Sequence, residues 1–219
     1  MSLSFSKEGR FKQIADISDA KYNMIIGGLT LYGLVMNIVL CAVAGNFVAS
    51  IDPMVLLIGY IVCCLAGSLM SAFSHNPVVS FIGYNLVAVP IGALLSLIIP
   101  TYDSGLIMSA IGATAVVTLA MIALSISFPS FFNRLGGVLL ASLLIACLTA
   151  FIFSLFGLGG DVFNWIFVII FSLYIGYDWN KAQRYPKTLD NAVDCALDLY
   201  LDIINLFIRL LRILSKAKD

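Results

Sequence analysis

Pro53–Tyr102 reads PMVLLIGYIVCCLAGSLMSAFSHNPVVSFIGYNLVAVPIGALLSLIIPTY, fifty residues without an Asp, Glu, Lys or Arg. A helix crosses a hydrocarbon layer about 30 Å thick in about 20 apolar residues, so this stretch holds two crossings. His75-Asn76-Pro77 marks the division between them, because proline lacks an amide donor and clashes with the preceding helical turn. Working outward, Tyr22–Ile51, Ser104–Asn133 and Leu135–Gly160 are equally free of charge, and each is long enough for one crossing. A soluble core would break such runs with solvated faces. Over the whole chain 61% of residues are hydrophobic and 11% charged, against roughly 25% charged in ordinary globular domains. The pattern predicts an all-α, polytopic membrane protein.

Turn chemistry divides the chain into seven expected spans: Tyr22–Val48, Met54–Ser74, Val78–Ile99, Leu106–Ser127, Gly137–Phe156, Val162–Asn180 and Ala192–Ser215. Residues 1–21 form a polar, cytosolic lead-in, residues 22–215 the membrane domain, and residues 216–219 a short tail. The first apolar run far exceeds the 7–15 residues or so of a signal-peptide core, so the lead-in reads as uncleaved. With the N-terminus inside, the inner segments carry Lys7, Arg10, Lys12, Lys21, Arg134, Lys181, Arg184 and Lys187, while the loops between spans on the other side carry no Lys or Arg. That bias predicts a multi-pass protein of a cell's inner (plasma) membrane with a cytosolic N-terminus. Seven spans leave Lys216 and Lys218 outside, whereas a re-entrant last segment returns them to the cytosol. No internal repeat suggests an inverted-repeat transporter.

A formal net charge of zero gives no reason to expect nucleic acid as a partner; the expected surroundings are the lipid bilayer. The five cysteines all fall in apolar segments, and no CxxC pair or Cys/His metal spacing occurs. No cofactor is indicated.

Charges inside a bilayer cost at least about 2.5 kcal/mol each on insertion scales and mark functional candidates. Here they gather at the end of the chain. Asp178 lies near the inner end of span six, and span seven carries Asp194, Asp198, Asp202, Asn205, Arg209 and Arg212 at steps of 4, 4, 3, 4 and 3. At about 100° per residue, the six fall within an arc of roughly 80°. One polar stripe on an apolar helix must face protein or water, which predicts that span seven is the central helix. A purely structural seam is the alternative, with Asp198–Asp202 and Asn205–Arg209 interacting along the helix. It leaves Asp178 without a partner.

The string Phe171-Ser172-Leu173-Tyr174-Ile175-Gly176-Tyr177-Asp178, followed by Ala196-Leu197-Asp198-Leu199-Tyr200-Leu201-Asp202-Ile203-Ile204-Asn205-Leu206-Phe207, resembles the transmembrane Bax-inhibitor-motif family, bacterial branch. The resemblance implies a seven-helix bundle with the last helix enclosed, and a pH-sensing aspartate pair on spans six and seven. It also implies a pH-dependent calcium leak, with those roles falling on Asp178 and Asp202. Two carboxylates in a water-poor site do not both ionise cheaply and share a proton, whose loss would part the two helices. The ionised pair would be a transient calcium site, since calcium prefers carboxylate and carbonyl oxygens, and Asp198 and Asn205 would add oxygens. Depth along the helices favours Asp198 as the partner of Asp178; the motif favours Asp202, which is the expectation taken here.

Relatives that leak calcium carry an arginine near the inner end of span two. This chain reads Ser71-Ala72-Phe73-Ser74-His75 there. His75, the sole histidine, either replaces that arginine as a titrating latch or is a loop residue that ends span two. Two other classes compete with a leak. One is a non-transporting regulator of a membrane protease or another membrane protein. The other is an intramembrane aspartyl protease, but Gly157-Leu158-Gly159-Gly160-Asp161 departs from Gly-x-Gly-Asp and precedes Tyr177-Asp178, the reverse of the order such proteases use. The chain is therefore expected not to be an enzyme.

Overall fold

The computed structural model describes residues 17–157 and 161–217. Most of the N-terminal lead-in, the glycines at 159 and 160 in the expected tight connection, and the last two residues of the tail lie outside the described residues. The elements are α1 (Asp19–Val43), α2 (Gly45–Ala49), α3 (Pro53–Phe73), α4 (Pro77–Ile98), a 3-10 turn (Ile99–Thr101), α5 (Ser104–Ser127), α6 (Pro129–Asn133), α7 (Gly136–Leu155), α8 (Asp161–Arg184) and α9 (Leu189–Lys216). Six of them, α1, α3, α4, α5, α7 and α8, are long and apolar enough to cross a membrane. The seventh long helix is the amphipathic α9, and the chain is an all-α, multi-pass membrane bundle.

Helix starts follow the capping residues. Asp52 accepts from the amides of Met54 at 2.9 Å and Val55 at 3.2 Å, with Pro53 at the first helical position. Asn76 does the same for α4, accepting from Val78 at 3.0 Å ahead of Pro77. α7 runs to Leu155, and Gly157 follows in the left-handed region at φ 69°, a conformation that glycine adopts without penalty.

Three boundaries differ from expectation. The first span breaks at Ala44 into α1 and α2. α8 runs to Arg184, four residues past Asn180, and carries Lys181 into the bundle on helical backbone. α9 starts at Leu189 because Thr188 accepts from the Asn191 amide at 3.1 Å, so part of the expected polar loop is helix.

α9 packs against α1, α4, α5 and α8, whereas α3 lies against α4 and α7 against α8. The expectation of a central last helix holds, with one refinement: four helices form its jacket, and α3 and α7 sit mostly outside that jacket. Thirteen of the 28 residues of α9 are buried, against two of 21 on α3, so α9 is an axis and α3 a flank. Around α9 the core is aromatic and hydrogen-bonded. The rings of Tyr84 and Tyr200 lie 5.6 Å apart, Tyr84 donates to the Leu29 carbonyl at 2.8 Å, and Asn37 Nδ2 donates to the Tyr200 hydroxyl at 2.6 Å. Among helices in lipid, such bonds and close packing replace the hydrophobic driving force.

α3 and α4 approach at a glycine pair. A Cβ on Gly83 would meet the Gly67 carbonyl oxygen at 2.6 Å and the Ser71 amide at 3.1 Å, both backbone atoms that cannot swing away. Small residues at a crossing let backbones close in this way. Gly83→Val therefore forces the two helices apart and is expected to cost about 1–3 kcal/mol. A clear fall in the thermal midpoint of the detergent-solubilised protein would register it; an unchanged midpoint would show that the crossing has slack.

Candidate functional site

A residue every four along a helix advances about 40° and rises about 6 Å. Asp190, Asp194, Asp198 and Asp202 climb the N-terminal half of α9 in this way, and each meets a different partner. Ser80 Oγ on α4 donates to Asp190 Oδ1 at 2.7 Å. Ser71 Oγ on α3 donates to Asp194 Oδ1. Lys181 Nζ on α8 donates to Asp198 Oδ2 at 2.8 Å. At the deepest rung, the carboxyl groups of Asp202 and Asp178 lie close enough to interact. Partners thus change from hydroxyl to ammonium to carboxyl as the ladder enters the bundle.

Both members of that last pair are buried, Asp178 at 8% and Asp202 at 6% exposure. No amide, hydroxyl or ammonium group donates to Oδ2 of Asp202. A buried carboxylate oxygen left without a donor is costly, and a proton held between the two carboxyls answers that need. Lys181 Nζ lies 3.7 Å from Asp178 Oδ1, so one ammonium spans Asp178 and Asp198. The Lys181 ammonium offsets part of the charge that burial of the aspartates would otherwise leave uncompensated.

The structure brings Asp178 to Asp202 and gives Asp198 to Lys181. His75 is exposed in the turn before α4, and no hydrogen bond or ion pair joins it to the carboxylates. It stands where the loop-residue reading puts it. The cation at the pair is Lys181, which sequence reasoning had counted only as an inner-side charge. Asn205 donates to the Leu201 carbonyl of its own helix at 2.8 Å and makes no pair with Arg209. Arg209 turns instead to α8, 3.4 Å from Asn164 Oδ1 and 4.3 Å from the Phe167 ring centre. The structural-seam alternative, which relied on pairing along α9, is therefore not the arrangement seen. Among the described residues no three His, Cys, Asp or Glu side chains converge as a metal site.

Asp190, Ser71, Ser80 and Lys181 escaped the sequence reading. Two had a signal: Asp190 continues the four-residue step one turn before Asp194, and Lys181 follows Asp178 by three residues on one helix face. The serines had none, because hydroxyls in apolar helices commonly bond their own backbone, as Thr114 does to Ala110 at 2.7 Å.

Fold and site together define a class: multi-pass helical membrane proteins whose innermost helix carries buried carboxyl groups shared with its neighbours. Within that class, the chain belongs to the family described as inhibitor of apoptosis-promoting Bax1, whose model matches residues 19–219. Similar proteins include an uncharacterized protein of Helicobacter pylori, 31% identical over 140 residues, 62% of this chain and 59% of that protein. Bax inhibitor 1 of Saccharomyces cerevisiae is 33% identical over 141 residues, 57% of this chain and 46% of that protein. An uncharacterized protein of Borreliella burgdorferi is 27% identical over 207 residues, covering 90% of this chain and 88% of its own length. The aligned stretch thus spans about three-fifths of the Helicobacter protein and less than half of the yeast one.

Lys181 gives a test of the site that does not depend on any activity. Lys181→Met leaves Asp198 and Asp178 without their cation, and removing one partner of an ion pair costs more than removing both. Thermal unfolding in detergent is expected to rank wild type above Lys181→Met, with Lys181→Met/Asp198→Leu recovering part of the loss. A double variant no more stable than the single would mean that the ammonium is not neutralising that carboxylate.

Proposed function

We propose that this protein is a pH-sensitive calcium leak channel or transporter in which Asp178 and Asp202 are the sensor between α8 and α9. The observation that carries the reading is the buried carboxyl–carboxyl contact joining those two helices. With one proton between them, the carboxyls hold α8 to α9. Loss of that proton leaves two anions in contact in a water-poor site, where repulsion is strong and separation of the helices relieves it. The separated carboxylates then face the path as calcium ligands, assisted by Asp198 and by backbone carbonyls. Two or three carboxylates fall short of the six to eight oxygens of a resident calcium cage, which suits an ion in transit.

Lys181 takes the place that the resemblance gives to an arginine. Bridging Asp178 and Asp198, it offsets the ladder's charge and lowers the cost of the ionised pair. The reading is non-enzymatic and sets the N-terminus and the carboxylate end of α9 on the cytosolic side of the inner membrane. The family match and a relative named Bax inhibitor 1 support a Bax-inhibitor-type membrane protein; calcium and pH enter the reading through the carboxyl pair alone.

Calcium flux into proteoliposomes across a pH series tests the proposal. Wild type is expected to leak more as pH rises through the range in which the pair loses its proton, and Asp178→Asn or Asp202→Asn to flatten that profile. Lys181→Met removes the nearby positive charge and is expected to move the midpoint to higher pH by about one to three units. His75→Ala is expected to leave the midpoint unmoved. Absence of flux at every pH would sink the leak and favour a regulator that acts by binding another membrane protein.

A further inference from the structure

At the end of the bundle remote from the carboxylates, a cavity of about 720 Å³ opens among the start of α5, α7, the first turns of α8 and the last turns of α9. Its lining includes Arg209, Arg212, Lys216, Ser215, Asn164 and Tyr102, and among the described residues none that lines it is acidic. Arg209 and Arg212 are one turn apart on α9 and close enough for their guanidinium charges to repel. Arg209 is half-buried; its recorded partners are the Asn164 side-chain oxygen at 3.4 Å and the face of Phe167 at 4.3 Å, both uncharged. A guanidinium offers five donors, so most of those of Arg209 are not engaged by these two contacts.

Placing two like charges on one helix face within a membrane protein is costly on both counts, repulsion and desolvation. The carboxylate ladder shows how this chain handles such a cost elsewhere: each acid is given a hydroxyl, a cation or a proton. Among the described residues, none that lines the cavity gives Arg209 or Arg212 a counter-charge. We infer that the cavity is a binding site for a phosphate-bearing anion held in the fork of Arg209 and Arg212, with Ser215 as an added donor. Planar guanidinium groups match phosphate oxygens in bidentate fashion, and a volume near 720 Å³ falls in the range of small-molecule sites. Two sources share this chemistry: the headgroup of an anionic phospholipid and free phosphate. Cys147 of α7 lines the cavity and is exposed on the outer face of the bundle, the side from which a phospholipid headgroup would enter.

Thermal unfolding of the full chain separates the sources and is independent of calcium flux. In one arm the protein is reconstituted in nanodiscs of phosphatidylcholine alone or with one-third phosphatidylglycerol; in the other it is held in neutral detergent and titrated with inorganic phosphate against chloride at equal ionic strength. A phospholipid site raises the midpoint by several degrees in the first arm only, and a free-phosphate site does so in the second. Arg209→Gln/Arg212→Gln is expected to abolish the rise, and Arg209→Lys, which keeps the charge but loses the fork, to retain part of it. Because Gln keeps a donor for Asn164, a folded double variant is expected; should it fail to fold, Arg212→Gln alone, at an exposed position, is expected to halve the response or more. No rise in either arm, or a rise undiminished in the arginine variants, overturns the proposal.

Discussion

Everything in this bundle depends on one constraint: α9 carries four aspartates at four-residue steps, and a helix enclosed by its neighbours must find partners for them inside the protein. A charged group at bilayer depth must face protein, pair, or hold a proton. α9 is therefore the axis, and the other long helices are arranged according to what they can offer it. α8 brings a lysine and a carboxyl, α4 a serine, and α1 the Asn37 amide that binds Tyr200. Even α3, which otherwise packs on α4, reaches the axis through Ser71.

That dependence explains why glycine appears where it does on α3 and α4. Ser71 is one turn beyond Gly67, so the close crossing with Gly83 also fixes how far the serine hydroxyl stands from Asp194. Packing and polar satisfaction are thus the same problem on that flank. Elsewhere the two separate: α7 packs mainly on α8 and presents Leu144, Ile145 and Leu148 outward, as a helix with no polar duty in lipid is free to do.

The fold was legible because long charge-free runs have a single cheap solution in water and lipid, and because Asp52-Pro53 and Asn76-Pro77 announce helix starts by capping chemistry alone. The axis was legible too, since the stripe from Asp194 to Arg212 admits no lipid-facing arrangement. What stayed hidden was set by neighbours in space. Whether Asp178 meets Asp198 or Asp202 turns on the relative height of two helices, which depth counting placed one rung off. The identity of the nearby cation turned on how far α8 continues: a span ended at Asn180 puts Lys181 in a loop, whereas four further helical residues turn it toward Asp198. His75 drew attention as the sole histidine, but it is exposed in the turn before α4 and is not among the bonded partners of the pair.

The two ends of α9 show opposite electrostatic strategies on one helix. The N-terminal half is acidic, and each charge is met from inside the protein by a hydroxyl, an ammonium or a neighbouring carboxyl. The C-terminal half is basic, and its arginines are met by neutral groups and by space. Helix polarity is consistent with the order, since acids are favoured near the N-terminus and bases near the C-terminus, but that effect fades within a turn and does not reach Asp202 or Arg209. Depth does the rest of the work. The carboxyl pair is buried between α8 and α9, so its partners come from those two helices and not from water. Arg209 and Arg212 instead line a cavity beside the uncharged Asn164 and Phe167. A single helix thus carries a half whose charges are met from within the protein and a half whose charges face neutral groups and a cavity, and α8 packs along both.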